Sequence, residues 1–470
     1  MNTSKDTERA NDKLGFWSIV LLAINSIIGS GIFLTPGSVV SQAGSKSLVV
    51  YLIAAIFAAI LAISFSAAAK YVTKSGASYA YSKAAFGDNV GFYVGILRYF
   101  SASVAWGVMA VGVIKSTISI FGGNPDSVMN VTIGFLVLML LITIINLFGQ
   151  KFVKFVMNIA TAGKLFALVL IIVAGVVLLL TTGASHNLHN LAMVDQITQN
   201  GHKIVPTLTT TGFVMAIVSA FYAFTGFESV PSGSDDMQEP EKNLPRAIPL
   251  AIFVIAAIYI GVVAVGLVLN PKALMTTKQV VAISAIFDNE ILRDVILVGA
   301  LVSMLGINVA SSFNAPRILE AMAREKQLPS SLTKRTKNNF PIRTFFISEA
   351  LAILVPLAFQ YNMVNLITLS AMVRFLGFII VPLAVICFYF GKNKEQVLPA
   401  PKNVWTDIVI PILSIIVVIF LLVKYNWQAQ FGIIKNGQVV GVNWYAILMM
   451  VFGFIILPLL MFLFTKKKRK

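Results

Sequence analysis

The sequence predicts an all-α membrane protein that crosses the bilayer many times, and composition, apolar segments and charge distribution carry that prediction. Of the 470 residues, 57% are hydrophobic and only 12% are charged, and the mean hydropathy is +0.86. A water-soluble domain has about twice that charged fraction. Backbone groups in lipid must bond within their own segment, which a helix allows. The composition therefore indicates a polytopic membrane protein and excludes a globular domain with a large core.

Windows of roughly 20 apolar residues predict about twelve transmembrane helices. The predicted spans are 16–43, 46–70, 88–121, 128–149, 152–181, 207–234, 246–270, 288–318, 342–359, 362–390, 404–424 and 442–465. The first span lacks a small-residue cleavage site before its glycines, so we expect a retained helix and not a signal peptide. The single cysteine, Cys387, excludes an intramolecular disulfide.

The formal charge of +17 is spread unevenly over the predicted loops. About 25 of the 36 lysines and arginines fall on one side of the membrane, as the positive-inside rule expects of the cytoplasmic face. We therefore predict a multi-pass protein of the cell membrane with both termini in the cytoplasm. Nucleic acid is the competing partner for a basic chain, but charges scattered over every inner loop exclude it. The tail Lys466–Lys470 is expected to contact membrane lipids.

The first span contains the run Ile27-Ile28-Gly29-Ser30-Gly31-Ile32-Phe33. Each glycine costs roughly 1 kcal/mol relative to alanine in a helix interior, so one interpretation is that the helix stops and restarts here. The resumed helix then has a partly positive N-terminus that can bind a carboxylate. The alternative is a close helix–helix packing site made of small residues.

The sixth span decides between these interpretations, because it is interrupted in the same way, at Phe221-Tyr222-Ala223-Phe224-Thr225-Gly226-Phe227-Glu228-Ser229. Paired interrupted segments in two halves of a chain are typical of secondary transporters with a binding site at the midplane. We therefore predict an inverted repeat of five plus five helices, with two peripheral helices outside it. The predicted divisions are 1–15 (cytoplasmic tail), 16–181 (first repeat), 182–206 (extracellular loop), 207–390 (second repeat), 391–465 (peripheral helices) and 466–470 (basic tail).

The loops carry linked motifs in a fixed order. They are Ser75-Gly76-Ala77-Ser78-Tyr79-Ala80-Tyr81 with Gly91-Phe92-Tyr93-Val94-Gly95, Glu239-Pro240-Glu241-Lys242-Asn243-Leu244-Pro245-Arg246, Asn314-Ala315-Pro316-Arg317, and Ala323-Arg324-Glu325-Lys326-Gln327-Leu328-Pro329. With the Gly-Ser-Gly turn, they resemble the amino acid–polyamine–organocation superfamily of amino acid transporters from about residue 15 to 390. The resemblance implies a leucine-transporter-like fold and α-amino acid substrates.

The chain departs from the family pattern at several cytoplasmic positions, which bear on the subfamily and not on the fold. The family usually has two glycines at Gly76-Ala77, glutamates at Asp235-Asp236, asparagine at Glu239 and Asp-Gly at Glu325-Lys326.

A zwitterionic substrate needs donors for its carboxylate and acceptors for its ammonium group. The first break, at Gly29, supplies amides at Ser30 and Gly31 and the Ser30 hydroxyl. Unwound carbonyls at Ile27, and at Tyr222 and Thr225 beside Gly226, can accept from the ammonium. The resemblance to the family's arginine–agmatine antiporter implies that these positions bind the carboxylate and the ammonium group of the substrate.

Five side chains are candidates for gating and selectivity. Phe221 and Tyr222 are candidates for an aromatic lid over the substrate, with ordinary core aromatics as the alternative. Selectivity for the substrate side chain is expected from the third, eighth and tenth spans, around Trp106, Asn308 and Ser370.

Ionisable residues inside spans are costly, so each is a functional candidate. Lys164 occupies a lysine position of many family members, where the ammonium resembles a replacement for the sodium ion of sodium-coupled relatives. Burial disfavours its charged form, which makes it a candidate protonation switch; the alternative is a charged strut to carbonyls of the first span. Glu228 is a candidate for coupling pH to gating. Arg374 is expected to pair with it, contact an anionic substrate or line the cytoplasmic vestibule, and Arg98 and Glu349 are assigned structural roles.

Secondary amino acid transport is the predicted function: proton-coupled, sodium-independent symport, with amino acid or amine exchange as the alternative. A sensor that binds amino acids without transporting them is the alternative from another class. No Gly-x-x-x-x-Gly-Lys-[Ser/Thr] loop supports an ATP-driven pump, and no His-Glu-x-x-His motif supports an enzyme. His186, His189 and His202 lack the further ligands of a metal site. We expect no cofactor, with amino acids, protons and lipids as partners; the sequence does not specify the oligomeric state.

Overall fold

The computed structural model describes residues 14–29, 31–74, 76–199, 201–277, 281–336, 340–435 and 438–467. Most of these residues are helical, and the strands within them form two short hairpins. The architecture is therefore the predicted all-α polytopic one. Three predicted features lie outside the described residues: Ser30, the polar segment 1–13 and the end of the basic tail, 468–470.

The first half of the chain contains eight α-helices among the described residues. They are α1 (Phe16–Ile27), α2 (Gly31–Ala43), α3 (Ser47–Tyr71), α4 (Ser78–Phe86), α5 (Asp88–Ile120), α6 (Val128–Leu147), α7 (Gln150–Thr182) and α8 (Ala184–Met193). A 3₁₀ turn, Gly44–Lys46, joins α2 to α3. Strands β1 (Thr198–Gln199) and β2 (His202–Lys203) form the first hairpin.

The second half repeats this order. Its helices are α9 (Thr210–Phe224), α10 (Pro240–Leu269), α11 (Pro271–Thr276), α12 (Glu290–Arg324), α13 (Ile342–Ala358) and α14 (Met363–Tyr389), with 3₁₀ segments at Phe227–Asp236, Ala282–Ile286 and Ser330–Thr333. The remaining elements are α15 (Ile410–Lys424), α16 (Trp427–Phe431), β3 (Gly432–Lys435), β4 (Gln438–Val442), α17 (Trp444–Val451) and α18 (Leu457–Lys467), with π-helical turns at Trp405–Val409 and Phe452–Ile456.

Ten helical segments in the described part of the chain are long and apolar enough to cross a membrane. The sequence predicts about twelve, and two features explain the difference. The first two predicted spans share one continuous segment, Gly31–Tyr71, in this count. The helix α13 has 17 residues and reaches about 26 Å, slightly less than the roughly 30 Å of a bilayer core.

Helix packing follows a two-fold pattern between the halves. The helices α2, α3 and α5 pack on their counterparts α9, α10 and α12. Contacts that cross the halves are also paired: α7 packs on α12 as α14 packs on α5, and α1 packs on α10 as α9 packs on α3. This matching is what an inverted repeat requires. The core of the bundle therefore lies where the two repeats meet.

Small residues bring α7 and α12 close together. A Cβ added to Gly299 would lie 2.5 Å from the Ala167 Cβ, and one added to Gly306 would collide with the side chain of Ala160. Close approach through glycine and alanine is typical of tightly packed membrane helices. The first repeat therefore packs tightly on the second where α7 contacts α12.

Several loops meet at one end of the bundle, which we call the basic end (residues 72–74, 76–77, 234–239, 325–336 and 391–403). The Lys83 ammonium lies 2.6 Å from a Glu325 oxygen and 3.4 Å from a Glu395 oxygen. The Lys83 hydrogen bond holds the pKa of the Glu325 carboxyl below its usual range. Leu14 forms a parallel bridge with Met237, so the start of α1 is tied to the segment that follows α9.

The last two spans lie at the edge of the bundle. α15 packs on α3 and α14, and the Lys70 ammonium lies 2.7 Å from Asp407 in the π-helical turn before α15. Within Trp444–Thr465, only 11% of the most apolar 18-residue stretch is buried inside the protein. These helices are peripheral, as predicted, and their apolar side chains are left to face lipid.

Candidate functional site

The first span is broken where the sequence predicts. Helix α1 ends at Ile27, the Ile28 amide closes the last helical bond to the Ile24 carbonyl at 2.9 Å, and α2 begins at Gly31. A helix end leaves up to four carbonyls, and a helix start up to four amides, without partners in their own helix. The break therefore brings both kinds of group into the centre of the bundle.

The sixth span is broken at Gly226. Helix α9 ends at Phe224, Gly226 has a φ of +123°, and a 3₁₀ segment begins at Phe227. Side chains stabilise the turn: the Thr225 hydroxyl donates to the Tyr222 carbonyl at 2.8 Å, and the Ser229 hydroxyl donates to the Gly226 carbonyl at 2.6 Å. Part of the acceptor capacity predicted for Tyr222 is thus used within the turn itself.

The two breaks pack directly against each other, and both contacts need glycine. A Cβ on Gly31 would lie 2.5 Å from the Ala223 Cα, and a Cβ on Gly226 would collide with the Ser26 carbonyl. Gly29 is less crowded, since its added Cβ would lie 3.1 Å from the Ile307 side chain. The residues predicted to surround the substrate are therefore adjacent in space, with α12 beside them.

Lys164 lies beside the first break. Its side chain is buried, and its ammonium donates to the carbonyls of Asn25 at 2.7 Å and Ile28 at 2.6 Å. Both carbonyls are available to the ammonium because α1 ends here and no later amide of that helix donates to them. On the same side, the Ser303 hydroxyl donates to the Gly29 carbonyl at 3.4 Å. A positive charge from α7 therefore lies between two backbone carbonyl oxygens of the first break.

Glu228 lies just after the second break and is ion-paired. One of its carboxylate oxygens accepts from the Gly226 amide at 2.7 Å. The other accepts from the Arg374 guanidinium of α14, and an Arg98 nitrogen of α5 lies 3.7 Å from it. Of the partners that the sequence left open for Arg374, the structure shows Glu228. It also brings Arg98, assigned a structural role from sequence, to the same carboxylate.

Phe221 and Tyr222 are both buried. The Phe221 ring packs among aromatics of α3 and α14, with centroids 4.5 Å from Phe57 and 5.7 Å from Phe378. A ring in this place can cover the two breaks or fill the core, and its role as a lid stays a prediction.

The three predicted selectivity residues are buried at separate places. The Trp106 ring packs on Phe345 of α13, with centroids 5.8 Å apart. The Asn308 amide donates to the Met304 carbonyl of its own helix at 2.8 Å. Neither the Asn308 Oδ1 nor the Ser370 hydroxyl has a hydrogen-bond partner in the described part of the chain. Their roles also stay predictions.

Comparison with known proteins identifies the family. A family model for amino acid permeases matches residues 18–470. The chain belongs to this family. An uncharacterised transporter of Mycobacterium tuberculosis is 37% identical over 467 residues, 96% of this permease and 94% of the relative. The branched-chain amino acid permease BcaP of Bacillus subtilis is 27% identical over 437 residues, 88% of each chain. The serine/threonine exchanger SteT of the same organism is 26% identical over 325 residues, 67% of this permease and 69% of the relative.

Sequence reasoning missed several residues that the structure brings to the site of the permease. They are Asn25 and Ile28, whose carbonyls accept from Lys164; Ser303, which contacts Gly29; Ala223, which packs on Gly31; and Arg98. Asn25 is a polar residue inside an apolar span, but the group that contacts Lys164 is its backbone carbonyl. The others act through their backbone or through a neighbour on another helix, which a single sequence does not reveal.

Proposed function

We propose that this permease is a secondary active transporter that moves amino acids across the cell membrane by proton-coupled, sodium-independent symport. The observation that carries the proposal is the Lys164 ammonium on the carbonyls of Asn25 and Ile28. Under the positive-inside rule, the basic end faces the cytoplasm.

Sodium independence follows from the position of this ammonium. In transporters with interrupted helices, unwound carbonyls are the groups that coordinate the coupling ion. Here two of those carbonyls already accept from a cation, and a second positive charge a few ångströms away is repelled strongly in a medium of low dielectric constant. The site therefore supports an ammonium in place of a metal ion.

Proton coupling follows from the chemistry of a buried lysine. In the described part of the chain, its charged form is stabilised by the carbonyl oxygens of Asn25 and Ile28, and a displacement of α1 removes them. An ammonium left without acceptors in a dry site favours release of its proton. A small cavity lined by Lys164, Asn25 and Ser303 lies beside the group and offers the proton a route.

The substrate is proposed to be a neutral α-amino acid. Its carboxylate binds at the start of α2, where amides point away from the helix and the dipole favours negative charge. The carboxylate of Glu228, close to the second break, is already engaged by two guanidinium groups. It therefore offers no free partner to a cationic side chain, so we expect neutral amino acids to be preferred over lysine and arginine.

The test is counterflow in proteoliposomes with a panel of radiolabelled leucine, isoleucine, valine, serine, threonine, lysine and arginine. Uptake is then measured with a pH gradient, with a sodium gradient and with neither. If the protein is a proton symporter, accumulation of the amino acid requires the pH gradient and is unchanged by the sodium gradient. Exchange that needs internal amino acid and no gradient would instead support an antiporter, and binding without counterflow would indicate a sensor.

Lys164→Ala separates the roles of the lysine. We expect it to abolish uptake driven by a pH gradient and to leave exchange, which needs no net proton movement. Lys115→Ala is the matched control, because that lysine contacts Asp126 in the loop after α5, at 3.4 Å. Equal loss of both activities favours a strut, and retained gradient-driven uptake removes Lys164 from the coupling mechanism.

A further inference from the structure

A cavity lies next to the second break and contains more positive than negative charge. It is lined by residues of α3, α4, α5, α14 and the segment after α9, and its free volume in this state is about 20 Å³, room for about one water molecule. Its polar lining consists of Ser78 at the start of α4 and of four further residues, Arg98, Ser101, Glu228 and Arg374. We call these four residues and the space between them the arginine cavity.

The charges in the arginine cavity do not balance. Among the described residues that line it, Glu228 is the one carboxylate, and both of its oxygens are engaged, one by the Gly226 amide and one by Arg374 with Arg98 nearby. The three side chains are only 14% (Arg98), 3% (Glu228) and 9% (Arg374) exposed. Two buried guanidinium groups therefore share one carboxylate, and an uncompensated buried charge is costly.

Donors in the cavity are also unused. Among the described residues, neither the Arg374 Nε nor the Ser101 hydroxyl has a hydrogen-bond partner, although both are buried. A strut between α14 and the broken helix would need one arginine paired with one glutamate. A strut does not explain the second guanidinium, that of Arg98, or the unpaired donors of Arg374 and Ser101. Together these groups can donate hydrogen bonds to the two oxygens of a carboxylate.

We propose that the arginine cavity is a second station for the substrate, which binds the carboxylate of an amino acid between the two breaks and the basic end. When the cavity widens to admit the carboxylate end of an amino acid, a second carboxylate lies beside the two guanidiniums, while the ammonium group of the substrate stays outside the arginine cavity. Arg98 is the residue that carries the excess charge, because Arg374 already contacts Glu228. The inference rests on the proposed amino acid transport for the source of the carboxylate.

The first test uses propionate, which has a carboxylate and no ammonium group. Saturation-transfer NMR with the full-length permease in nanodiscs should show propionate binding to the wild type. Arg98→Gln keeps the Arg374–Glu228 pair and removes the excess charge, so the affinity should fall about tenfold or more. Arg98→Lys should restore part of it. Binding that is unchanged in Arg98→Gln, or absent in the wild type, overturns the proposal.

Chloride distinguishes an inorganic anion site from a carboxylate site. Displacement of propionate by equimolar chloride would overturn the substrate station in favour of a halide site, and retention of propionate supports it. Circular dichroism and the melting temperature verify that each variant is folded. Arg343→Gln is the matched control, since that arginine donates to the Ser331 carbonyl at the basic end, and it should leave propionate binding unchanged.

The second test is transport. In proteoliposomes, Arg98→Gln should raise the KM for leucine leaving through the basic end about tenfold and should leave the KM from the opposite side within about twofold. Equal KM changes on both sides contradict a station near the basic end. Wild-type permease that binds propionate but shows no counterflow of any amino acid would refute the proposed function and leave the anion site standing.

Discussion

Substitution of Gly31 tests whether the start of α2 binds the substrate carboxylate. A Cβ at this position would lie 2.5 Å from the Cα, 3.1 Å from the Cβ and 3.2 Å from the nitrogen of Ala223. Carbon atoms prefer separations of about 3.5–4.0 Å, so α2 and α9 must move apart by roughly 1 Å. Overpacking of this kind costs about 1–3 kcal/mol. Because the displaced amides are those assigned to the carboxylate, we expect Gly31→Ala to weaken binding about 10- to 100-fold and Gly31→Val to abolish it.

The assay is equilibrium binding of the radiolabelled amino acid that gives the strongest counterflow, on purified protein whose gel-filtration profile is unchanged. Gly261→Ala on α10 is the matched control, because its added Cβ would lie 3.7 Å from the Ile172 side chain, an ordinary contact. It should bind like the wild type. A folded Gly31→Val variant with unchanged affinity would refute the reasoning and locate the carboxylate site elsewhere.

Three further perturbations have defined outcomes. Glu228→Gln removes the carboxylate between two guanidiniums and should flatten the pH profile of transport more than it changes binding; an unchanged profile reduces Glu228 to a hydrogen-bond partner of the broken helix. Gly226→Ala should lower the melting temperature, with a cost of about 2–4 kcal/mol from its positive φ and the Ser26 carbonyl; an unchanged value contradicts this. Because the Glu325 pKa is lowered by Lys83, this pair stabilises the fold above the unfolded pKa of about 4.3 and loses that contribution as pH falls through the folded pKa. Lys83→Ala should therefore reduce stability more at pH 7 than at about pH 3.5, by less than about 1 kcal/mol because Glu325 is 42% exposed; equal losses at both pH values count against it.

The positions of the two breaks could be predicted from sequence because their cause is local. Glycine is a poor residue for a helix interior, and Gly29, Gly31 and Gly226 stand inside otherwise apolar segments. The order of the membrane-spanning segments follows from apolar length alone. The relation between the halves needed one further observation, that both begin with the same interruption.

Contacts between distant helices could not be predicted in the same way. The acceptors of Lys164 are backbone carbonyls, which every residue has, so no residue type marks them. Arg98 was assigned a structural role from its place near a span end, yet the packing of α5 on α14 brings it to Glu228. Trp106 faces Phe345, a neighbour more than two hundred residues away in sequence. Local patterns carry no information about such pairings.

The close packing of α7 on α12 affects how the protein is made. Helix α7 ends at Thr182, and its glycine–alanine face fits a helix that begins at Glu290. At roughly 5–20 residues per second, ribosomes need on the order of 10 s to synthesise the intervening chain. During that time, α7 is in the membrane with no partner for this face. The face of α7 that packs on α12 therefore stays uncovered until the second repeat is translated, and a quality-control factor that recognises unfinished membrane helices would find it exposed in every truncated chain that ends before α12.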